Sequence, residues 1–249
     1  MALSTMTQLP RAMLIDMDDT ILSAYSRPDI AWNIVATEFA GELAPLLPQQ
    51  VAAAIVDSGR RFWATAQAEW RLKLEEARHV VVQGGFTALA AKGHPLLPSD
   101  LALRLAERFH TYREQEMFVF PGAHDAIDAL KAYGVKLALV TNGAATPQRA
   151  KVERFALTHR FDHIQIEGEQ GFGKPEERAY LHAMQALGVT APETWMVGDN
   201  LEWEVEAPQR LGIYAIWIDV HGAGLPADST IKPDRIIRSL TELLPREAG

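Results

Sequence analysis

The chain has 249 residues, of which 48% are hydrophobic, and a formal net charge of −8; that length and apolar content suit one large or two modest globular domains with a real core. An acidic balance gives no general attraction to nucleic acid or to an anionic membrane, so any phosphate-bearing ligand must be met by locally placed cations or backbone N–H groups. Cysteine is absent, which excludes disulfides, thiol catalysis and cysteine–zinc sites.

The opening stretch "MALSTMTQLPRAML" lacks the charged-then-apolar order of a signal peptide. No later stretch has the ~20 apolar residues that span a bilayer, and the cytoplasm is the expected compartment. The first strand is expected at "AMLID", from Ala12. From Ile21 to about Phe118 the pattern is helical and rich in Ala, Leu, Glu and Arg, with a brief strand-like "HVVV" near Val80. After "FPGAHDAI" strands and helices alternate. A helix over Ala123 to Tyr133 carries Ala126, Ile127 and Leu130 at helical spacing, and "VKLALVT" from Val135 follows as a strand. A helix over Pro147 to Phe155, a strand "HIQIE" from His163 and a helix over Glu176 to Leu187 come next. The series ends with "TWMVGD" from Thr194, a helix over Glu202 to Leu211 and "IYAIWID" from Ile213. Gly134, Gly188 and Gly212 stand where C-terminal helix caps belong. The expected fold class is α/β: a doubly wound, Rossmann-like parallel sheet core, residues 1–20 and 119–249, with an inserted helical domain over residues 21–118.

In open parallel sheets ligands collect at the carboxyl ends of the strands. Those ends carry Asp16, Asp18, Asp19 and Thr20; Thr141, Asn142 and Gly143; Gly173 and Lys174; and Asp199, Asn200 and Glu204. Neighbouring carboxylates repel unless a cation offsets them. Asp16, Asp18 and Asp199, without Cys or clustered His, match the ligand set of a hard, oxygen-preferring ion such as Mg2+. Any one of these loops alone reads more readily as turn or N-cap chemistry; acid pair, hydroxyl, lysine and acid at four successive strand ends argue for a site. Gly168, Gly173 and Lys174 also have the spacing of a nucleotide-binding P-loop, but Pro175 stands where that motif needs a hydroxyl. Pro175 suits instead the first turn of the helix that follows.

In order, "DMDDT" at Asp16, "LVTNG" at Thr141, "GKP" at Lys174 and "GDNLEWE" at Asp199 resemble the four motifs of the haloacid dehalogenase superfamily. The resemblance is to its phosphatase branch, with a small helical cap domain inserted after the first motif, as in phosphoglycolate phosphatase-like members. It implies a Mg2+-dependent phosphomonoester hydrolase acting on a small phosphorylated metabolite through an aspartyl-phosphate. Asp16 would be the nucleophile and Asp18 the general acid and base. Asp16, the Asp18 main-chain carbonyl and Asp199 would hold Mg2+. Thr141, Asn142 and Lys174 would grip the phosphoryl oxygens, and Thr20 would order the first loop. Two positions depart from the usual motifs: Asp19, often Gly, and Glu204, commonly Asp, which the resemblance makes an indirect partner of the metal. The alternatives are a phosphotransferase or phosphomutase like beta-phosphoglucomutase and, less favoured, a 2-haloacid dehalogenase, whose halide leaves without the proton that Asp18 would supply. No nucleic-acid or membrane partner is implied, and the chain would be a monomer or homodimer.

In this superfamily the cap closes over the site and contacts the non-phosphate part of the substrate. "GRRFWATAQAEWRLKLEEARH" offers Arg60, Arg61, Trp63, Trp70, Arg71, Lys73, Arg78 and His79 for such contacts. Its helical spacing favours a solvated face with Glu69–Lys73 and Arg71–Glu75 pairs, and a core face with Trp63, Trp70 and Leu74. His159 and His163 are expected to be separate surface histidines.

Overall fold

A computed structural model describes residues 9–24 and 27–245; the opening stretch read above for a leader lies, through Gln8, outside them. Among the described residues no helix is long and apolar enough to cross a membrane. The chain divides into two compact units, Met1–Ser23 with Phe118–Gly249, and Ala24–Met117.

The first unit starts with β1 (Ala12–Ile15) and β2 (Leu22–Ser23). The second contains α1 (Pro28–Glu38), the short α2 (Ala40–Leu43), α3 (Pro48–Thr65), α4 (Leu74–Ala90) and α5 (Ser99–Glu116). Its core joins Val35, Ile55, Val82, Phe86, Leu101 and Leu105, and Trp32 stacks on Phe109 with centroids 3.8 Å apart. Two expectations fail here. "HVVV" lies inside α4, where Val81 and Val82 are buried as neighbours on a helix face. The segment around Trp70 is not one helix: Ala66 and Gln67 are extended, a 3-10 turn covers Ala68–Leu72, and α4 starts only at Leu74. That break destroys the i, i+4 register across it. Trp63 is exposed, and Trp70 sits edge-on against Phe62.

The chain re-enters the first unit at β3 (Phe118–Val119), which pairs antiparallel with β2. Then come α6 (Ala123–Ala132), β4 (Lys136–Thr141), α7 (Ala145–Arg154), β5 (His163–Ile166), α8 (Glu167–Gln170), α9 (Glu177–Leu187) and β6 (Thr194–Gly198). A π-helical turn (Leu201–Glu206), α10 (Ala207–Arg210), β7 (Tyr214–Ile218) and β8 (Arg235–Ile237) complete it. The strands form a six-stranded parallel sheet in the order β5-β4-β1-β6-β7-β8. The strand order reverses at β1, so its carboxyl end is flanked by those of β4 and β6. Alternation along the buried strands serves both faces. Ala12, Leu14, Ala138, Val140 and Met196 face Tyr180, Ala183, Met184 and Leu187 of α9, while Met13, Ile15, Leu137 and Leu139, equally buried, point to the opposite layer.

The five strands expected from the apolar runs are present; β8 and the antiparallel β2–β3 pair are too short to leave a periodic signal. Pro175 follows a cis Lys174–Pro175 bond and precedes α9 by two residues, so it is not in that helix's first turn. The helix expected over Glu202 to Leu211 is the π-helical turn followed by one short α-helix. Pro208 has no N–H to give the Glu204 carbonyl four residues back, which favours a widened turn there. His163 is half-buried beside His182, at 5.4 Å between ring centroids, and not fully exposed; burial and the neighbouring imidazole lower its pKa.

Gly85 sets how closely α3 and α4 approach. A Cβ there would stand 3.0 Å from both the N and Cα of Ile55, and backbone cannot swing aside. Gly85→Val should therefore lower stability in urea unfolding by about 1–3 kcal/mol, the usual cost of overpacking. A variant as stable as the parent would show that the helices part freely.

Candidate active site

β1 ends at Ile15, and Asp16 N–H donates to the Val197 carbonyl of β6 (3.0 Å), which fixes the first loop against the fourth. Ile21 and Leu22 N–H both return to the Met17 carbonyl (2.9 and 3.0 Å), and Asp19 N–H donates to the Leu22 carbonyl at 2.6 Å. Asp19 has φ 57°, a left-handed conformation that Gly adopts freely and Asp tolerates better than most residues. That accounts for the first departure from the usual motif. Thr20 is buried, but its hydroxyl has no hydrogen-bond partner in the structure. Main-chain bonds, not the Thr20 side chain, order this loop.

Lys174 arrives from the segment after β5 and is 1% exposed. Its Nζ lies 2.5 Å from Asp16 Oδ1 and 2.7 Å from Glu204 Oε1. Asn142, following β4, clamps the same residue: its Nδ2 donates to the Lys174 carbonyl (2.6 Å) and its Oδ1 accepts from Lys174 N–H (2.9 Å). This clamp requires Gly173, where a Cβ would come within 2.6 Å of Asn142 Oδ1 and 2.8 Å of the Glu167 carboxyl carbon. The buried Glu167 accepts the Gly143 N–H at 2.9 Å. Lys174 thus sits between carboxylates, and no hydroxyl follows it; the P-loop reading fails on its surroundings as well as on Pro175.

Glu204 reaches Lys174 because the π-helical turn folds it back over the end of β6. Its Oε2 accepts the Asn200 N–H at 2.7 Å, while Asn200 Oδ1 caps the turn by accepting from Glu202 and Trp203 N–H (3.0 and 3.1 Å). At Gly198 a Cβ would fall 2.1 Å from Glu204 Cγ, so only glycine leaves room for it. The Asp199 carbonyl accepts from Trp217 Nε1 at 2.6 Å.

The electrostatics follow from burial. Burial pushes the Asp16 carboxyl up, and the Lys174 ammonium only partly offsets it. Asp199 is raised further, by burial and then by the charges of Glu204, Asp16 and Asp19. Glu204 is pushed up to about 7, chiefly by burial, against the pull of Lys174. Burial also opposes the Lys174 ammonium, but Asp16 and Glu204 outweigh it and raise its pKa. The site is short of positive charge, and its surplus donors are hard carboxylate oxygens, which fits a small divalent cation. Among the described residues no three His, Cys, Asp or Glu side chains group closely enough to hold a metal by themselves. An ion here would therefore draw on main-chain oxygen as well as on Asp16 and Asp199.

Asp18 is not joined to Lys174. Lys151 and Gln148, two residues of α7 that no motif of the sequence singled out, bond its carboxylate instead. Gln148 Nε2 also lies 2.7 Å from Thr141 Oγ1 and 2.8 Å from the Asn142 carbonyl. The structure therefore joins Asp16, Lys174, Glu204 and Asn142 in one network, and Asp18 and Thr141 in another that meets the first at Asn142. A legible signal existed for the second. With Val152, Gln148 and Lys151 form the buried stripe of α7, where an amphipathic helix ordinarily places apolar residues.

The sequence profile of the haloacid dehalogenase-like hydrolases matches residues 10–212. The phosphoserine phosphatase of Thermus thermophilus is 30% identical over 96% of this chain and 99% of its own. The ribulose-1,5-bisphosphate 5-phosphatase of Halopiger xanaduensis is 28% identical over 90% of each chain. Among solved structures, a Bacillus subtilis HAD-hydrolase bound to magnesium aligns with a TM-score of 0.66 at 24% identity, covering 95% of this chain and 97% of that one; this likeness concerns the fold alone.

The raised acids give the site a pH signature. A group whose folded pKa exceeds its unfolded value stabilises fully below the unfolded pKa, and that stability is lost as pH rises through the folded one. For Glu204 the window runs from 4.5 to about 7. In chelator, the melting temperature of the parent relative to Glu204→Gln should therefore decline as pH rises across this window. A difference independent of pH would overturn the assignment of that buried charge.

Proposed function

The chain belongs to the haloacid dehalogenase-like hydrolases, and from that premise we propose that it is a Mg2+-dependent phosphomonoester hydrolase. Its substrate would be a small phosphorylated metabolite, cleaved through an aspartyl-phosphate on Asp16. The observation that carries this reading is the buried convergence of three loops on Asp16, with Lys174 2.5 Å from its carboxylate and Asp18 held beside it in a separate network. The two phosphatases similar over nearly the whole chain, one named for phosphoserine and one for ribulose-1,5-bisphosphate, support a small phosphomonoester as substrate. A soluble metabolite and a chain without cysteine suit the cytoplasm.

In this reading an Asp16 oxygen attacks phosphorus in line with the ester oxygen. As the P–O bond breaks, the Asp18 carboxyl gives its proton to the departing oxygen and becomes a carboxylate. Asp18 then takes a proton from the water that attacks phosphorus, which releases phosphate and returns Asp16 to its starting state. Thr141 by its hydroxyl, Asn142 by its backbone N–H and Lys174 by its ammonium hold the phosphoryl oxygens. Glu204 keeps Lys174 pointed at them. The Asp16 carboxylate, the Asp18 main-chain carbonyl and Asp199 would hold Mg2+, which would supply the charge neutralisation that an anionic nucleophile needs to approach an anionic phosphate. Asp18 speaks against a dehalogenase, since halide departs without a proton.

Purified protein with Mg2+ should release phosphate from p-nitrophenyl phosphate and from members of a panel that includes phosphoserine and ribulose 1,5-bisphosphate. Asp16→Asn should lower this by at least about a thousandfold. An active Asp16→Asn protein would sink the nucleophile assignment, and a parent inert on every phosphomonoester would sink the phosphatase reading.

A further inference from the structure

The buried stripe of α7 poses a problem of energetics. Gln148 is 3% exposed and the Lys151 side chain 4%. An amide and an ammonium are costly to bury unless their donors are satisfied, and three of α7's ten residues, Gln148, Lys151 and Val152, form its inward stripe. Both polar side chains meet at Asp18. Lys151 Nζ lies 2.9 Å from each of its two carboxylate oxygens, and Gln148 Nε2 lies 3.0 Å from Oδ2. An aspartate has two side-chain torsions. Contact to both oxygens from one side fixes the plane of the carboxylate as well as its place, and a third contact from the next turn of the same rigid helix removes the remaining freedom. Gln148 carries the constraint onward, since the same Nε2 is 2.7 Å from the Thr141 hydroxyl.

We infer that Lys151 and Gln148 are positioning residues for proton transfer by Asp18, aiming its carboxyl group and fixing its distance from the Thr141 end of the phosphate grip. This rests on the phosphatase reading above. Lys151 remains an ammonium and Gln148 an amide throughout. The proton that reaches the departing oxygen comes from Asp18 alone, and the broken bond is the P–O ester bond. A buried ion pair that merely stapled the first loop to α7 would make the same contacts, so loss of activity alone cannot distinguish the two roles; dependence on the leaving group can. An acidic alcohol such as p-nitrophenol leaves as its anion with little help, whereas phenol needs its oxygen protonated as the bond breaks. A misaimed Asp18 therefore penalises the second far more than the first. A loosened scaffold penalises both alike.

The experiment compares kcat/KM for p-nitrophenyl phosphate and phenyl phosphate in the Mg2+-loaded parent and in Lys151→Met, Lys151→Arg, Gln148→Leu and Asp18→Asn. The two esters have nearly the same size, and kcat/KM reports only steps up to departure of the leaving group. Lys151→Met should lower the phenyl phosphate value by about a hundredfold, the lower range for general-acid assistance, and the p-nitrophenyl value only a few-fold. Lys151→Arg, which keeps a donor and the charge, should regain part of the difference, and Gln148→Leu should lose in the same direction. If Lys151→Met fails to fold, Gln148→Leu carries the test, because it removes one contact to Asp18 and keeps the ion pair. Equal losses on the two esters in the folded variants would overturn the inference, provided that Asp18→Asn shows the unequal loss. Equal losses in Asp18→Asn itself, or an active Asp16→Asn, would overturn instead the reading on which the inference rests.

Discussion

Lys174 is enclosed so completely that its ammonium could not remain charged without partners, and the partners it has come from two other loops. Asp16 follows β1, Glu204 rides the π-helical turn after β6, and Lys174 itself follows β5. An isolated ammonium or carboxylate in such a place pays a desolvation cost of several kcal/mol; set together, the three offset one another. The same contacts tie the carboxyl ends of three strands into one body. Removing the lysine would leave two buried acids facing each other. Exclusion of water raises the pKa of both acids despite the lysine, whereas the lysine is raised by its two carboxylates despite burial.

Such a contact needs backbone that can come unusually close. Gly173 lets the Lys174 segment lie against Asn142 and Glu167, and Gly198 lets Glu204 fold back over β6; a single Cβ at either place would overlap atoms that carry the network. The π-helical turn contributes in the same way. It brings the longer Glu204 side chain round to bond both Lys174 and the Asn200 N–H, so the extra methylene that distinguishes it from aspartate is spent on reaching the lysine. These are local departures from regular structure, gathered at the sheet edge where the functional side chains meet.

That distribution explains what could be read in the sequence. Buried parallel strands are short apolar runs, and the runs from Ala12, Val135, His163, Thr194 and Ile213 stood out because both faces of each strand are covered. With the strands assigned, the residues at their carboxyl ends were legible by counting. How those residues are wired was not. Asn142 was read for its backbone N–H, while its side chain bonds the Lys174 main chain; Thr20 was read as a loop-ordering hydroxyl, while backbone bonds order the loop. Gln148 and Lys151 lie on a helix, away from every strand-end motif, and only their place on the buried stripe of α7 marked them. The break before α4 and the π-helical turn escaped for a related reason: helical periodicity averages over a window and is insensitive to one turn of different pitch.

The two buried lysines divide a problem that the first loop creates. Asp16 and Asp18, two residues apart, would repel each other if they faced a common space alone. Lys174 engages the first through the loop after β5, and Lys151 engages the second through α7, so each acid has its own cation approaching from a different part of the sheet edge. In the proposed reading that separation suits groups with different work: a nucleophile must keep its carboxylate turned to phosphorus, whereas an acid and base must be aimed at the departing oxygen. Asp199 is left with the poorest compensation. Burial first, and then Glu204, Asp16 and Asp19, push its pKa upward, and the opposing influence of Lys174 is the smallest of these. A further positive charge would therefore do most at Asp199, the one acid of the set that reaches the site from β6 without a lysine of its own, and in the proposed reading a divalent cation would supply it.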